Sequence, residues 1–255
     1  ACKAASKSGC PYFLFDRGGA SISQCCRLSI QLSNDDIKKV SYAPEELRFV
    51  GVQNVSINLP NCAIESDKNK DKFFKELEHR MDLAVRAHFS KKKYLEKVIG
   101  AANSPLQFYK SGCDTKPYVN LNEGSYLIGI VGLNECVYNM TGQEMHESDE
   151  AFKFGIEVIV RMNKFTKRMQ KEHNLNFKLE ETPAESCSTR LATLDKKKYG
   201  ERAFVQSNTY GTYYTNSCHF SYKANMDYMT RIQKQSLMHP YIEAGAEIHN
   251  WVGDK

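Results

Sequence analysis

Residues 125–134, SYLIGIVGLN, limit what this chain can fold into more than any other stretch. A half-exposed strand alternates polar and apolar side chains. A run that is apolar from Tyr126 to Leu133 fits a strand covered on both faces, as in parallel sheets. It is far too short to span a bilayer. Parallel strands need long crossovers, usually helical, and the flanking sequence supplies them. In 66–100, Phe74, Leu77, Met81, Ala84, Val85 and His88 recur at helical spacing, and Gly100 suits the helix end. A second long helix is predicted from Asp149 to Glu172, with Ala151, Gly155, Val158, Met162, Phe165 and Met169 on one stripe.

The remaining elements extend this alternation. Residues 26–32 read as a short strand, 50–60 as a β-branched strand stopping at Pro60, and 176–181 as a third strand. A helix opens in 183–198, 203–220 is strand-rich, 226–239 holds a short helix, and 242–252 closes as a helix or strand. The expectation is a parallel α/β sheet, open or closed into a barrel. No internal repeat, low-complexity linker or domain boundary interrupts it.

Composition narrows the functional classes. With 255 residues, 41% apolar and 25% charged, the chain reads as a globular protein with a sizeable core. Its net charge of +5 suits anionic ligands such as phosphates without requiring a nucleic acid. The Lys-rich stretches 91–93 and 196–198 read as solvated helix surface, with phosphate binding the alternative. No signal peptide is visible, and the first residue is Ala, as in a fragment or a processed product. Nine cysteines, at 2, 10, 25, 26, 62, 113, 136, 187 and 218, show neither a CxxC pair nor framework spacing. That speaks against a disulfide scaffold and a four-cysteine zinc site, and it fits reduced thiols in the cytoplasm.

Chemistry-bearing residues gather at predicted strand ends and strand-to-helix turns, where parallel α/β folds bind ligands. Cys25 and Cys26 are adjacent, so on a strand their side chains face opposite ways and only one can serve a given site. Each reads either as a small buried hydrophobe or as a redox or radical thiol. Asn54 and Asn58 interrupt an apolar strand, either as an inter-strand hydrogen-bond network or as contacts to a ligand hydroxyl. In 181-ETPAESCSTR-190, Pro183 turns the chain into a helix whose backbone N–H groups and small hydroxyls could bind an anion; capping by Thr182 or Ser186 is the plainer reading. In 214-YTNSCHF-220, His219 reads as a core or surface histidine before a ligand or base, and Asn134 in 132-GLNEC-136 reads as a helix cap.

Taken in order, QCCRLS, VQNVSINLP, GLNE, ETPAES, YTNSCHF and EAGAEIHNWVGD resemble the anaerobic, class III ribonucleotide reductases, glycyl-radical enzymes. The resemblance runs from about Cys10 to the end. It implies half of a ten-stranded α/β barrel built from two antiparallel five-stranded halves, with 1–255 a partial catalytic barrel domain. The N-terminal regulatory region, the first half-barrel, the zinc site and the glycyl-radical loop would lie outside it. The implied activity is anaerobic reduction of ribonucleotides to 2′-deoxyribonucleotides, and such a fragment would not turn over alone.

The resemblance also assigns roles. Cys26, before Arg27, aligns with the finger-loop thiyl that abstracts the ribose 3′-hydrogen, with Cys25 the alternative. Asn54 would hold the ribose hydroxyls, with Asn58 as alternative. Thr182, Ala184, Ser186, Cys187 and Ser188 form the implied phosphate loop, and Glu185 becomes the general acid/base for loss of the 2′-hydroxyl. The glycyl radical and the zinc belong to the missing regions, and no metal or cofactor is expected on this chain. Expected partners are a ribonucleoside di- or triphosphate, a radical-SAM activase, the rest of the reductase and a second copy in a homodimer, with no nucleic acid or membrane. Formate or a thiol protein would be the reductant. Two other readings stay open: a non-catalytic nucleotide-binding or assembly subunit from a split or decayed gene, and another glycyl-radical enzyme.

Overall fold

The computed structural model describes residues 2–8, 19–23, 28–101 and 119–248. Its elements are α1 (Cys2–Ser8), β1 (Ser21–Ser23), β2 (Ser29–Gln31), α2 (Asn34–Tyr42), β3 (Gly51–Asn58), α3 (Leu59–Ser66), α4 (Lys70–Gly100), β4 (Ser125–Val131), α5 (Leu133–Thr141), α6 (Asp149–His173), β5 (Asn176–Glu180), α7 (Glu185–Tyr199), β6 (Gln206–Asn208), β7 (Gly211–Tyr213) and α8 (Tyr228–Ser236).

The apolar run became the centre of the molecule. β4 is buried along its whole length and lies between β3 and β5, parallel to both. Helical crossovers join the three strands, as parallel pairing demands. The outer face of the sheet carries Ile57, Ile128, Ile130, Phe177 and Leu179. These share one core with Phe73, Leu77 and Met81 of α4 and Val158, Ile159 and Met162 of α6. Each such buried side chain contributes about 1.5–3 kcal/mol, so this face fixes the sheet against its helices. His88, the last stripe residue foreseen, is also buried, and its Nε2 lies 2.9 Å from the Leu127 carbonyl. Burial lowers its pKa.

The other face is less apolar. A short segment runs beside β5: Ala244 N donates to Leu179 O at 3.0 Å, and Glu181 N donates to Gly245 O at 3.2 Å. The β1–β2 hairpin joins that segment through Ser29 N, 2.7 Å from Ala244 O. The parallel α/β expectation holds among the described residues, and no helix there is long and apolar enough to cross a membrane. The Lys-rich stretches lie on surface: Lys91, Lys93, Lys197 and Lys198 are exposed.

Several local expectations change. Pro60 does more than end a strand; it sits in the first turn of α3, where its missing N–H costs nothing. α3 was not foreseen, and α5 only as a helix start capped by Asn134, because each short helix follows directly on a strand and blends into its run. Residues 203–220 contain only two three-residue strands. Residues 242–248 form neither helix nor strand. The cap of α5 is Gly132, not Asn134. Its φ of 74° and the nearness of Pro60, whose Cγ would lie 2.6 Å from an added Cβ, leave room for glycine alone.

Candidate functional site

Strand pairing decides which side chains share the inner face. Asn54 pairs with Leu127, and Ser56 with Gly129, which in turn pairs with Glu180. Side chains alternate along a strand, so Asn54, Ser56, Leu127, Gly129, Glu180 and Thr182 all face inward. Gly129 is the floor of this group. A Cβ built there would lie 1.9 Å from Thr182 Oγ1, 2.5 Å from Asn54 Oδ1 and 2.7 Å from Ser56 Oγ. Three polar side chains therefore close over a backbone that only glycine can leave open.

These groups form one network. Asn54 Nδ2 donates to the Glu180 carboxylate and to Thr182 Oγ1 at 3.2 Å. Ser56 Oγ donates to Asn54 Oδ1 at 3.2 Å and approaches Thr182 Oγ1 at 3.3 Å. Glu180 and Thr182 are buried, whereas Asn54 and Ser56 are half-buried and present an open polar edge. Apolar contacts bound the floor along the strand direction. Toward the strand N-terminus, Leu127 packs with Leu28 and Ala244. Toward the C-terminus, Val131 packs with Ala192 of α7 and with Tyr214.

Leu28 matters because of what precedes it. β1 and β2 pair antiparallel with Ser23 opposite Ser29, so the hairpin's connection is 24–28. Cys25 and Cys26 lie outside the described residues. Their anchor on the sheet, Leu28, is described, and it sits on the inner face at the strand position paired with Asn54.

The turn after β5 leads straight into α7. Its cap is Ala184, in the left-handed region at φ 39°, ψ 29°, and no side chain caps the helix. This corrects the expected capping by Thr182 or Ser186: Thr182 Oγ1 turns to Asn54 instead, and Ser186 is exposed in the first turn. Glu185 is also exposed, Cys187 is half-buried, and the buried Ser188 hydroxyl donates to the Glu185 carbonyl at 2.9 Å. A helix start without a side-chain cap keeps its N–H groups and its positive dipole end available to an anion.

Not every sequence candidate joins the floor. Asn58 ends β3 and is taken up elsewhere: its Oδ1 accepts from Asn61 N at 3.2 Å, and its Nδ2 donates to Asp195 Oδ2 at 2.8 Å. Buried Asp195 also accepts from Asn61 Nδ2 at 2.6 Å and from Tyr214 OH at 2.9 Å. This knot ties α7 to α3 beside the site. Asn134, read as a cap, lies buried inside α5 and donates to Glu144 Oε1 at 2.6 Å. Its neighbour Glu135 accepts from Thr215 N at 2.9 Å and Thr215 Oγ1 at 2.5 Å; burial raises its pKa despite those bonds.

Ser56, Gly129 and Glu180 were missed in the sequence. Their signal was weak but present: Asn54, Ser56 and Asn58 recur every second residue, as do Glu180 and Thr182, and a glycine interrupts the centre of the most buried strand.

A second polar cluster lies one residue further along. Glu181 is fully buried and accepts from Cys218 Sγ at 2.8 Å, with His219 Nε2 at 3.1 Å and the Glu247 backbone N–H on its other oxygen. Burial alone would raise its pKa; the His219 ring and these donors outweigh that and lower it to about 2. The Cys218 thiol is pushed up, by burial first and by the carboxylate beside it.

A parallel sheet with the long helices α4 and α6 on one face and a polar floor on the other fits a part of an α/β barrel. Comparison with known proteins carries this further. The family model described as anaerobic ribonucleoside-triphosphate reductase matches residues 1–255, and the chain belongs to that family. It is 26% identical over 200 residues to the anaerobic ribonucleoside-triphosphate reductase of Salmonella typhimurium and 25% identical to that of Escherichia coli. The match covers 75% of this chain and 28% of each relative, so the chain spans under a third of their length. The anaerobic ribonucleotide reductase of Thermotoga maritima with MES in the active site superposes at a TM-score of 0.67, with 23% identity over 81% of this chain and 33% of that one. The same enzyme in complex with dATP and CTP gives 0.64, with 22% identity over 78% and 32%. The shared fold is that α/β barrel architecture, of which this chain holds a part.

Proposed function

We propose that this chain supplies the substrate-binding half of the catalytic barrel in an anaerobic reductase that converts ribonucleotides to 2′-deoxyribonucleotides. One observation carries the reading. The floor at Gly129, ringed by Asn54, Ser56 and Thr182, lies between the anchor of the cysteine hairpin and the uncapped start of α7. A nucleotide laid across it would place phosphates at the helix, ribose on the amide and hydroxyls, and its 3′ side toward the hairpin.

Each residue then has a task. A thiyl at Cys26, or at Cys25, takes the 3′-hydrogen atom; the sulfur gains the S–H bond and the ribose carbon keeps one electron. Asn54 holds the ribose hydroxyls, and its bond to Glu180 fixes which amide atom faces inward. Asn58 is the alternative, although both its polar atoms already serve Asn61 and Asp195. The backbone of Ala184 to Cys187 and the side chains of Thr182, Ser186 and Cys187 receive the phosphates. Ser188 is the alternative, although its N–H already serves the Ala184 carbonyl and its hydroxyl the Glu185 carbonyl. Glu185 gives the proton with which the 2′-hydroxyl leaves as water. Two electrons from formate or a thiol protein reduce the resulting substrate radical, and the cysteine then returns its hydrogen atom to C3′, which closes the shell of the product and restores the thiyl. The radical originates on a glycyl residue outside this chain, generated by a radical-SAM activase. Zinc is likewise placed outside it, and a homodimer in the cytoplasm is the expected assembly.

The test is anaerobic nucleotide reduction by the full-length protein. The Cys25→Ala, Cys26→Ala double variant should abolish it, and the single variants should name the radical carrier. Wild-type turnover in the double variant would end the radical assignment. Glu185→Gln compared with Glu180→Gln should lower the rate more strongly at Glu185; the reverse would move the proton-transfer role to Glu180.

A further inference from the structure

The buried Glu181, Cys218 and His219 have no part in the scheme above, yet they sit at a junction. Three segments that are remote in sequence meet there: the end of β5, the loop 214–219, and the segment 242–248. The Glu181 carboxylate accepts from the backbone N–H of Glu247. His219 Nε2 lies 2.8 Å from the Glu247 carbonyl and 3.1 Å from Glu181 Oε1. Both neighbours are acceptors, so Nε2 is the nitrogen that carries the proton. Glu247 is thereby gripped through both its N–H and its C=O. The Glu181 backbone adds a third tie, to Gly245 O.

The gripped segment touches the hairpin directly. Two residues before Glu181, the Leu179 carbonyl accepts from Ala244 N, and the Ala244 carbonyl accepts from Ser29 N at 2.7 Å. Ala244 is fully buried, and with Leu127 it encloses Leu28. An unbroken line of contacts thus leads from the carboxylate of Glu181, through 244–247, to the residue that follows Cys25, Cys26 and Arg27.

We propose that Glu181 and His219 are positioning residues that fix the cysteine-bearing hairpin onto the inner face of the sheet through the segment 244–247. Neither touches the Gly129 floor. They act on where the thiols stand, because Ser29 of the hairpin is hydrogen-bonded to Ala244, which that segment carries. Buried ionic groups are weak sources of net stability and are best attested as devices that fix one arrangement among several. A pair tying three loops together fits that use.

The proposal relies on the proposed function only for the meaning of the thiols. Its test needs no turnover, so a failure of either one is separately visible. In the full-length protein under anaerobic conditions, alkylation of Cys25 and Cys26 by iodoacetamide is followed by peptide mass spectrometry. Buried Cys62 and Cys136 report on the core. His219→Ala should speed labelling of Cys25 and Cys26 about tenfold, the factor for losing one charge-assisted hydrogen bond, with Cys62 and Cys136 still protected. His219→Gln, whose amide nitrogen can reach both acceptors, should restore the wild-type rate.

Unchanged labelling of the pair would overturn the proposal. So would an equal rise at Cys62 and Cys136, pairs already labelled at the free-thiol rate in wild type, or failure of the glutamine to restore protection. Ala244→Val provides a second route that leaves Glu181 and His219 intact. It should displace Leu28 and give the same selective rise. If His219→Ala does not fold, unchanged labelling in Ala244→Val overturns the proposal, and a selective rise supports it.

Discussion

Substituting Gly129 by Ala tests the polar floor with a single methyl group. The backbone there has no positive φ, so alanine is conformationally acceptable and the effect is steric. The added Cβ would lie 1.9 Å from Thr182 Oγ1, so that oxygen must retreat by about 1.5 Å to reach ordinary contact. Asn54 Oδ1 and Ser56 Oγ, at 2.5 and 2.7 Å, must also give way. Thr182 takes part in two of the network's hydrogen bonds, to Asn54 and Ser56, and cannot keep both after moving. Overpacking of this kind costs about 1–3 kcal/mol, and each lost hydrogen bond about 1 kcal/mol. Against this, replacing glycine in a strand returns about 0.5–1 kcal/mol of unfolded-state entropy. The steric terms win, and the net loss should be about 2–3 kcal/mol. Urea denaturation followed by circular dichroism reads it as a lower midpoint at constant slope. Combining Gly129→Ala with Thr182→Ala should recover at least half of the loss, because the nearest obstacle is gone. A single variant within about 0.5 kcal/mol of wild type, or a double variant without recovery, would refute the close approach at Gly129.

Other outcomes follow from the same contacts. Tyr214→Phe removes one of three donors to buried Asp195 and should cost about 1.5–2 kcal/mol in denaturation; a neutral result would mean that Asp195 is held without it. Ala184→Gly relieves a left-handed alanine, a gain of about 1–2 kcal/mol that glycine's greater unfolded-state freedom partly offsets, so stability should rise by about 0.5 kcal/mol. Burial lowers the pKa of His88 below 6.5 in the folded state. The unfolded chain therefore takes the proton first, and the stability His88 contributes above pH 6.5 is lost as pH falls below it. His239 shifts the same way for the same first cause, so stability measured from pH 7.5 downward should decline more shallowly in His88→Phe without becoming flat.

The sequence alone determined the layered α/β architecture. The unbroken apolar run of β4 could be satisfied only by cover on both faces, and the stripes of α4 and α6, ending in His88 and Met169, fixed where its crossovers would pack. Asn54 and the turn after Pro183 were also legible as candidates, because an amide inside an apolar-looking strand and a strand-to-helix turn rich in small hydroxyls both stand out from a purely structural pattern. Tertiary structure decided which of them meet. Asn54 and Thr182 touch although 128 residues separate them, because β4 brings β3 and β5 to either side of one glycine. Asn58, on the same face and equally polar, is diverted to Asp195 instead. The Glu181–His219 junction was invisible for the same reason. Its partners come from three loops, and hydrogen-bond pairing between distant loops leaves no periodicity in the chain for a sequence reading to detect.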